Sequence, residues 1–448
     1  MRRADGPDPY TPRSGDGAIH VAHYDLDLDY RVASNRLQAT ATLAGSAREE
    51  TRTITLDLSG LAVRGVRVAG DPGATHTHRD RRLVVRLSRA LAAGDEFSLA
   101  VTYGGSPKPR RSPWGTLGWE ELDDGVIVAS QPIGASTWFP CNDVPSDKAT
   151  YRIAVTTESA YRVVAGDLVR RTVRGGRTRW EFAHENPTAS YLVTVQIGRY
   201  RRRVVDLDGV PGEILHPAGL AVRVGSDMRP LPDMMAAFQR AFGPYPFPEY
   251  RVVVTPDDLE IPLEAQGTAI FGAGHIDGRG TLTRLIAHEL AHQWFGNAVG
   301  VAAWRHIWLN EGAACYAEWI WSEASGSYTA HENALGFHAR LAGEPQDLAI
   351  ADPGPAKMFD DRLYKRGALC LHALRITVGD DDFFRILSTW TSRYAGQAVV
   401  TGDFVALCEE VSGRGLGDFF DAWLEGTDLP DLPDAGFAAD PAPVSEAL

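Results

Sequence analysis

Cysteine is scarce. The four in this 448-residue chain, Cys141, Cys315, Cys370 and Cys408, stand far apart, and none forms a C-x-x-C pair. That spacing excludes a disulfide framework and argues against a thiolate metal site or a dithiol redox motif. No run approaches the roughly 18 uninterrupted apolar residues of a membrane helix. The opening Met1-Arg2-Arg3-Ala4-Asp5-Gly6-Pro7 is charged and leads into no apolar segment, so no secretory signal is read there. Positive charge is in deficit: 45 basic against 58 acidic side chains leave a net charge of −13. Such a surface repels phosphate backbones and anionic bilayers, so neither nucleic acid nor a membrane is expected as a partner. Free thiols without an export signal lead to the expectation of a cytoplasmic protein. With 44% hydrophobic and 23% charged residues, disorder over most of the chain is excluded.

What is there divides into two halves. Tyr24, Leu26, Leu28 and Tyr30 alternate with Asp25, Asp27 and Asp29, the period of a half-buried strand. Phe97-Leu99-Val101-Tyr103 and Tyr191-Val193-Val195-Ile197 repeat it, and Arg174-Gly175-Gly176-Arg177 reads as a hairpin turn. After about residue 210 helical periods take over, at 232–242, 283–296, 310–324, 363–377, 381–395, 403–411 and 417–425, with a short strand at 251–255. The fold class is therefore α+β. The pattern places an N-terminal tail over 1–14, an all-β saddle or sandwich domain over 15–208, a second domain over 209–432 and a fraying tail over 433–448.

The informative pentapeptide is His288-Glu289-Leu290-Ala291-His292. Residues four apart share a helix face, so both imidazoles can reach one metal ion, and Glu289 sits beside it as a base for water. Zinc needs a third protein ligand and leaves one position open in catalytic sites. Glu311, in Trp308-Leu309-Asn310-Glu311-Gly312, follows after eighteen intervening residues, enough for a loop and a second helix. Asn310-Glu311 would also suit a helix N-terminus, where a carboxylate meets first-turn N–H groups. Glu318, seven residues on, reads either as a carboxylate orienting a ligand imidazole or as a surface glutamate. His184-Glu185 and His331-Glu332 have no second histidine at the fourth position, and His76-Thr77-His78 reads as polar surface.

Together, His288-Glu289-Leu290-Ala291-His292-Gln293-Trp294-Phe295-Gly296-Asn297 and Trp308-Leu309-Asn310-Glu311-Gly312 resemble the zinc aminopeptidases typified by aminopeptidase N and leukotriene hydrolase. Trp138-Phe139-Pro140-Cys141-Asn142-Asp143 and Tyr364-Lys365-Arg366-Gly367-Ala368 extend the resemblance. It implies a β-sheet domain on a thermolysin-like catalytic domain, one zinc ion per chain, and a peptide substrate with a free N-terminus. It further implies Tyr364 as the oxyanion donor, and Glu264 with Gln131 as the anchor for the substrate's α-ammonium.

Two departures stand out. The family's Gly-Ala-Met-Glu-Asn segment is Ile261-Pro262-Leu263-Glu264-Ala265 here, and the chain ends 24 residues after Leu424, where fuller members continue into a helical domain. The second departure leads to the expectation of an open cleft and stepwise trimming of long peptides such as leaders. Two other readings stand beside the aminopeptidase: a zinc endopeptidase with little preference for a free terminus, and a non-catalytic zinc-binding scaffold.

Overall fold

The computed structural model describes residues 8–434. The alternation at Tyr24–Tyr30 becomes strand β1 (Ile19–Arg31), its aromatic and leucine side chains buried and its aspartates exposed. Six more strands join it: β2 (Arg36–Ala47), β3 (Ala62–Val68), β4 (Glu96–Gly105), β5 (Ala149–Glu158), β6 (Asp167–Arg174) and β7 (Arg177–Thr188). They form one sheet in the order β6-β7-β5-β1-β2-β4-β3, with β1 and β5 parallel. The β6–β7 turn is the expected one, with Gly175 and Gly176 both left-handed (φ 56° and 75°). A three-stranded sheet (Thr51–Asp57, Thr75–Arg79, Arg82–Leu91) and a five-stranded one complete an all-β domain around Tyr24, Trp119, Trp138, Phe139 and Tyr151.

The second domain opens with β8 (Arg201–Leu207), β9 (Val210–His216), β10 (Tyr250–Val254), β11 (Leu263–Ala265) and β12 (Thr268–Phe271), ordered β8-β9-β10-β12-β11. Because β8 pairs with β9 in this sheet, we propose that the domain begins at Arg201 rather than at 209. The edge strand β11 runs antiparallel to β12. Helices α1 (Ala221–Asp227), α2 (Leu231–Phe242), α3 (Thr283–Ala291), α4 (Trp308–Ala324), α5 (Ala330–Ala342), α6 (Asp361–Val378), α7 (Asp380–Arg393) and α8 (Thr401–Ser412) pack around it. None is long and apolar enough to cross a membrane.

Several expectations are corrected. Tyr191–Ile197 is not a strand: Ser190–Leu192 is a 3-10 turn, and only Gln196–Gly198 pairs. All of residues 190–198 are buried, so the alternation there carried no contrast of exposure. The helix expected over 283–296 stops at Ala291, and 292–298 coil into a wider turn in which Asn297 N donates to His292 O at 3.0 Å. That over 417–425 changes to a π turn at Asp421. The N-terminal segment is no tail where it is described. Asp8 accepts from Trp304 N (2.7 Å), Tyr10 O–H bonds Asp352, and Gly354 N donates to Tyr10 Oη (2.7 Å). Residues 8–14 thus strap the second domain. The C-terminal tail expected from 433 lies outside the described residues beyond 434.

Candidate metal centre and active site

Helix α3 buries Ile286, Leu290 and Ala291 in the core and turns His288, Glu289 and His292 toward α4 and β11. Each ligand imidazole has its Nδ1 engaged. His288 Nδ1–H donates to Glu318 Oε1 (2.8 Å), and His292 Nδ1–H to Phe295 O (3.0 Å). Both Nε2 atoms are left for a common point. From there Glu311 Oε2 lies 3.6 Å from His288 Nε2 and 3.4 Å from His292 Nε2. Zinc bonds of about 2.0–2.1 Å at tetrahedral angles put ligand atoms about 3.3 Å apart, so this donor set fits zinc. Glu318, left open between two roles, is buried against His288, with Arg284 at 3.4 Å.

Electrostatics agree with the geometry. Burial opposes the charge on Glu311, yet the two imidazoles hold its carboxyl at about 2. Glu318 is likewise held at about 2 against burial, by Lys365 and by His288. Burial pulls His288 and His292 down, but the facing carboxylates raise them to about 9 and about 10. Protons therefore occupy the ligand nitrogens until a cation displaces them. Glu289 is buried, which pushes it up to about 7 against the pull of the histidines, and its Oε2 has no hydrogen-bond partner among the described residues. A buried, unpartnered carboxylate oxygen beside a metal pocket is what a base awaiting water would present.

On the opposite wall, ligand atoms of Glu264, Glu289 and His292 lie within 4.8 Å of one another. Glu264 sits in β11, and Gln131 Nε2 donates to its Oε1 at 2.7 Å. The turn that follows α3 holds β11 and the β11–β12 turn in place. Gln293 Nε2 and Asn297 Nδ2 donate to Ala265 O (3.2 and 3.0 Å), and Gly267 N donates to Gln293 Oε1 (2.8 Å). Tyr364, on α6, lies near-parallel to the His288 ring, centroids 6.2 Å apart. Burial, then the charges of Glu311 and Glu264, keep its phenol protonated and hence a donor. Helices α4 and α6 meet at Gly312 and Gly367, where a Cβ on Gly367 would stand 2.8 Å from Gly312 Cα.

All eight residues singled out in the sequence thus gather at one site. The sequence reading missed the roles of Lys148 and of Tyr191, whose phenol has its pKa raised by burial and then by the charges of Glu264 and Glu311. Lys148 Nζ crosses from the β domain to Asn297 O (2.9 Å) and Ala298 O (3.0 Å). Neither carried a local signal of this role. The other histidines stay outside both metal-capable groups among the described residues: His184 bonds Ala165 O, and His331 faces His372.

Comparison with known proteins agrees. The Peptidase M1 N-terminal domain profile matches residues 20–192, and the Peptidase family M1 domain profile matches 228–423. The leucyl aminopeptidase of Saccharolobus solfataricus is 23% identical over 92% of this chain and 54% of its own length. Aminopeptidase M1-D of Oryza sativa subsp. japonica is 25% identical over 91% and 50%. The chain thus spans about half the length of these relatives. Among solved structures, a mutant M1 zinc metallopeptidase from Deinococcus radiodurans bound to a Tyr-Ser-Ala substrate superimposes with a TM-score of 0.88. It is 30% identical and the match covers 96% of this chain and 99% of that one.

Proposed function

The chain belongs to the M1 family of zinc metallopeptidases, and from that premise we propose that it is an aminopeptidase acting on peptides with a free N-terminus. The observation that carries the reading is the carboxylate of Glu264, within 4.8 Å of both Glu289 and His292 and held by Gln131. A fixed anion beside the reacting centre selects a substrate ammonium by a charge-assisted hydrogen bond. Gln131 gives its N–H to Glu264, so its carbonyl oxygen faces the same ammonium as an acceptor.

His288, His292 and Glu311 would hold the zinc ion, which when bound would supply Lewis-acid polarisation of the scissile carbonyl and of the attacking water. Glu264 and Gln131 fix the α-ammonium and with it the first peptide bond. Glu289 takes the proton of the attacking water at its free Oε2 and returns it to the leaving amine. Tyr364 donates its phenolic hydrogen to the oxyanion of the tetrahedral species. Glu318 keeps the His288 Nε2 lone pair aimed at the metal by accepting from Nδ1.

Hydrolysis of a chromogenic aminoacyl amide beside its N-acetylated twin tests the reading. The free amine should be the substrate, and Glu264→Ala should lower kcat/KM for it by about 10²-fold or more, the scale of a lost charge-assisted contact. Equal rates on the two amides would make the protein an endopeptidase; no hydrolysis by the zinc-loaded protein would make it a scaffold. On a long peptide, a ladder from the free N-terminus marks stepwise trimming.

A further inference from the structure

Away from the metal centre, a cleft of about 1050 Å³ opens between the N-terminal strap, the three-stranded sheet and the loop carrying Trp114. Four arginines line it, Arg13 and Arg81 exposed and Arg82 and Arg110 half-buried, and they are unequally partnered. Arg82 is satisfied, pairing with buried Asp57 at 2.5 Å and donating to Gly15 O at 2.6 Å. Arg81 and Arg110 make no ion pair and no side-chain hydrogen bond with any described residue, and Arg110 Nε is buried without an acceptor. Burial and then the charge of Arg81 pull the Arg110 guanidinium down, against Asp143 and Asp57. Asp57 accepts from Arg82 and Gly15 N; Asp143 accepts from the Ser190 hydroxyl at 2.7 Å through Oδ1, while its Oδ2 is buried without a hydrogen-bond partner and makes no hydrogen bond to Arg110. Asp16, also at the cleft, accepts from Thr55 N and Ala18 N. Asp80 is exposed in the turn beside Arg81.

The backbone adds an independent sign. Asp80 and Arg81 form the two-residue turn between Thr75–Arg79 and Arg82–Leu91, with φ of 47° and 71°. The second position of such a turn favours glycine, and an arginine there holds a strained left-handed conformation. Strain of this kind persists where the side chain is needed.

We propose that Arg81 and Arg110 form a binding site for a small oxyanion, a carboxylate or a phosphate, in the cleft beside Trp114. Two guanidinium forks without protein acceptors match the paired oxygens of either group. The site adjoins the catalytic machinery on two sides. Ile133, in its wall, is two residues from Gln131. Tyr10 and Trp114 hold residues 352–355, through Asp352 and Gly354 and through Pro355 O at 2.7 Å, just ahead of α6.

Thermal unfolding of the full chain at constant ionic strength, with chloride replaced stepwise by inorganic phosphate or by succinate, reads the site. The expected result is a saturable rise in Tm of about 2 °C or more. It should be absent in both Arg81→Gly and Arg110→Met. Neither arginine donates a side-chain hydrogen bond to the protein, and glycine suits the left-handed turn, so in chloride alone Arg81→Gly should be at least as stable as the parent. Arg110→Met also removes a charge near Asp143 and Asp57, so each variant's response is read against its own Tm in chloride. A response to phosphate alone assigns a phosphate ligand; a response to succinate alone assigns a carboxylate; a response to both assigns an unselective oxyanion site. Oxyanions also bind zinc, so a rise that either variant retains places the anion elsewhere and overturns the proposal. No rise with either anion overturns it as well.

Discussion

The two nitrogens of each ligand imidazole do different work. Nδ1 of His288 is tied to the Glu318 carboxylate and Nδ1 of His292 to a backbone carbonyl, so both rings are fixed in direction before a metal arrives, and the proton a metal displaces is the one on Nε2. Glu318→Gln keeps a hydrogen-bond acceptor but removes the charge. It should weaken zinc binding about 10- to 100-fold in a chelator competition, with the fold unchanged by circular dichroism. Affinity equal to the parent's would leave Glu318 only a structural role. In the proposed mechanism Tyr364 acts on the transition state alone. Tyr364→Phe should therefore lower kcat about 10²- to 10³-fold and leave KM nearly constant. A variant that raises KM alone would make the phenol a binding group. The five residues His288, Glu289, His292, Glu311 and Tyr364 were legible in sequence: the first three share a helix turn, and the others stand in recognisable motifs. Gln293 and Asn297 stood in the same motif without a readable task, because their task is to hold a strand 28 to 32 residues away in sequence. Lys148 and Tyr191 act across still longer separations, and nothing beside either in the sequence spelled its task.

At the scale of elements, the site depends on how closely two helices approach. Glu311 precedes Gly312 on α4, and Tyr364 lies one turn before Gly367 on α6. The glycines face each other with no room for a Cβ on either, so the absence of side chains there brings the phenol to the ligand sphere. Gly367→Ala must push α6 off α4. The expected outcome is a loss of about 1–3 kcal/mol in guanidinium unfolding and a fall in kcat larger than that of an alanine elsewhere on α6. Unchanged kcat would mean that the approach is not what positions Tyr364. On the same helix the Arg366 guanidinium reaches the carbonyls of Ala422, Trp423, Gly426, Thr427 and Asp428, a task that suits its planar fork of donors. Most helices were legible to within two residues from their apolar period. Helix α5 was not picked out, although Thr329 and Glu332 form a capping box that spells its start. The end of α3 was misread because its apolar residues Trp294 and Phe295 continue the helical period after the backbone has left it.

Across the whole molecule, one buried lysine joins the β domain to the turn behind the zinc helix. Lys148 Nζ donates to Asn297 O and Ala298 O, while Asn297 in turn holds Ala265 beside Glu264. Burial lowers Lys148 to about 7 from its ordinary 10.5, and as a neutral amine it still has two hydrogens, one for each carbonyl. The folded protein thus releases this proton near pH 7, whereas the unfolded chain keeps it to about pH 10.5. Between those values the unfolded state binds more protons, so stability rises with pH, by up to about 1.4 kcal/mol per pH unit from this group. Below pH 7 both states are protonated and the contribution is flat at its least favourable value. Other groups titrate in the same range, the ligand histidines among them, so the measurement is a difference. Guanidinium unfolding of the parent and of Lys148→Met, both zinc-loaded, should show the parent gaining on the variant from pH 7 to 9.5. Below pH 7 the gap between them should be constant. A gap that stays constant throughout, or narrows as pH rises, would mean that Lys148 remains charged at the domain junction and that the two carbonyls hold an ammonium.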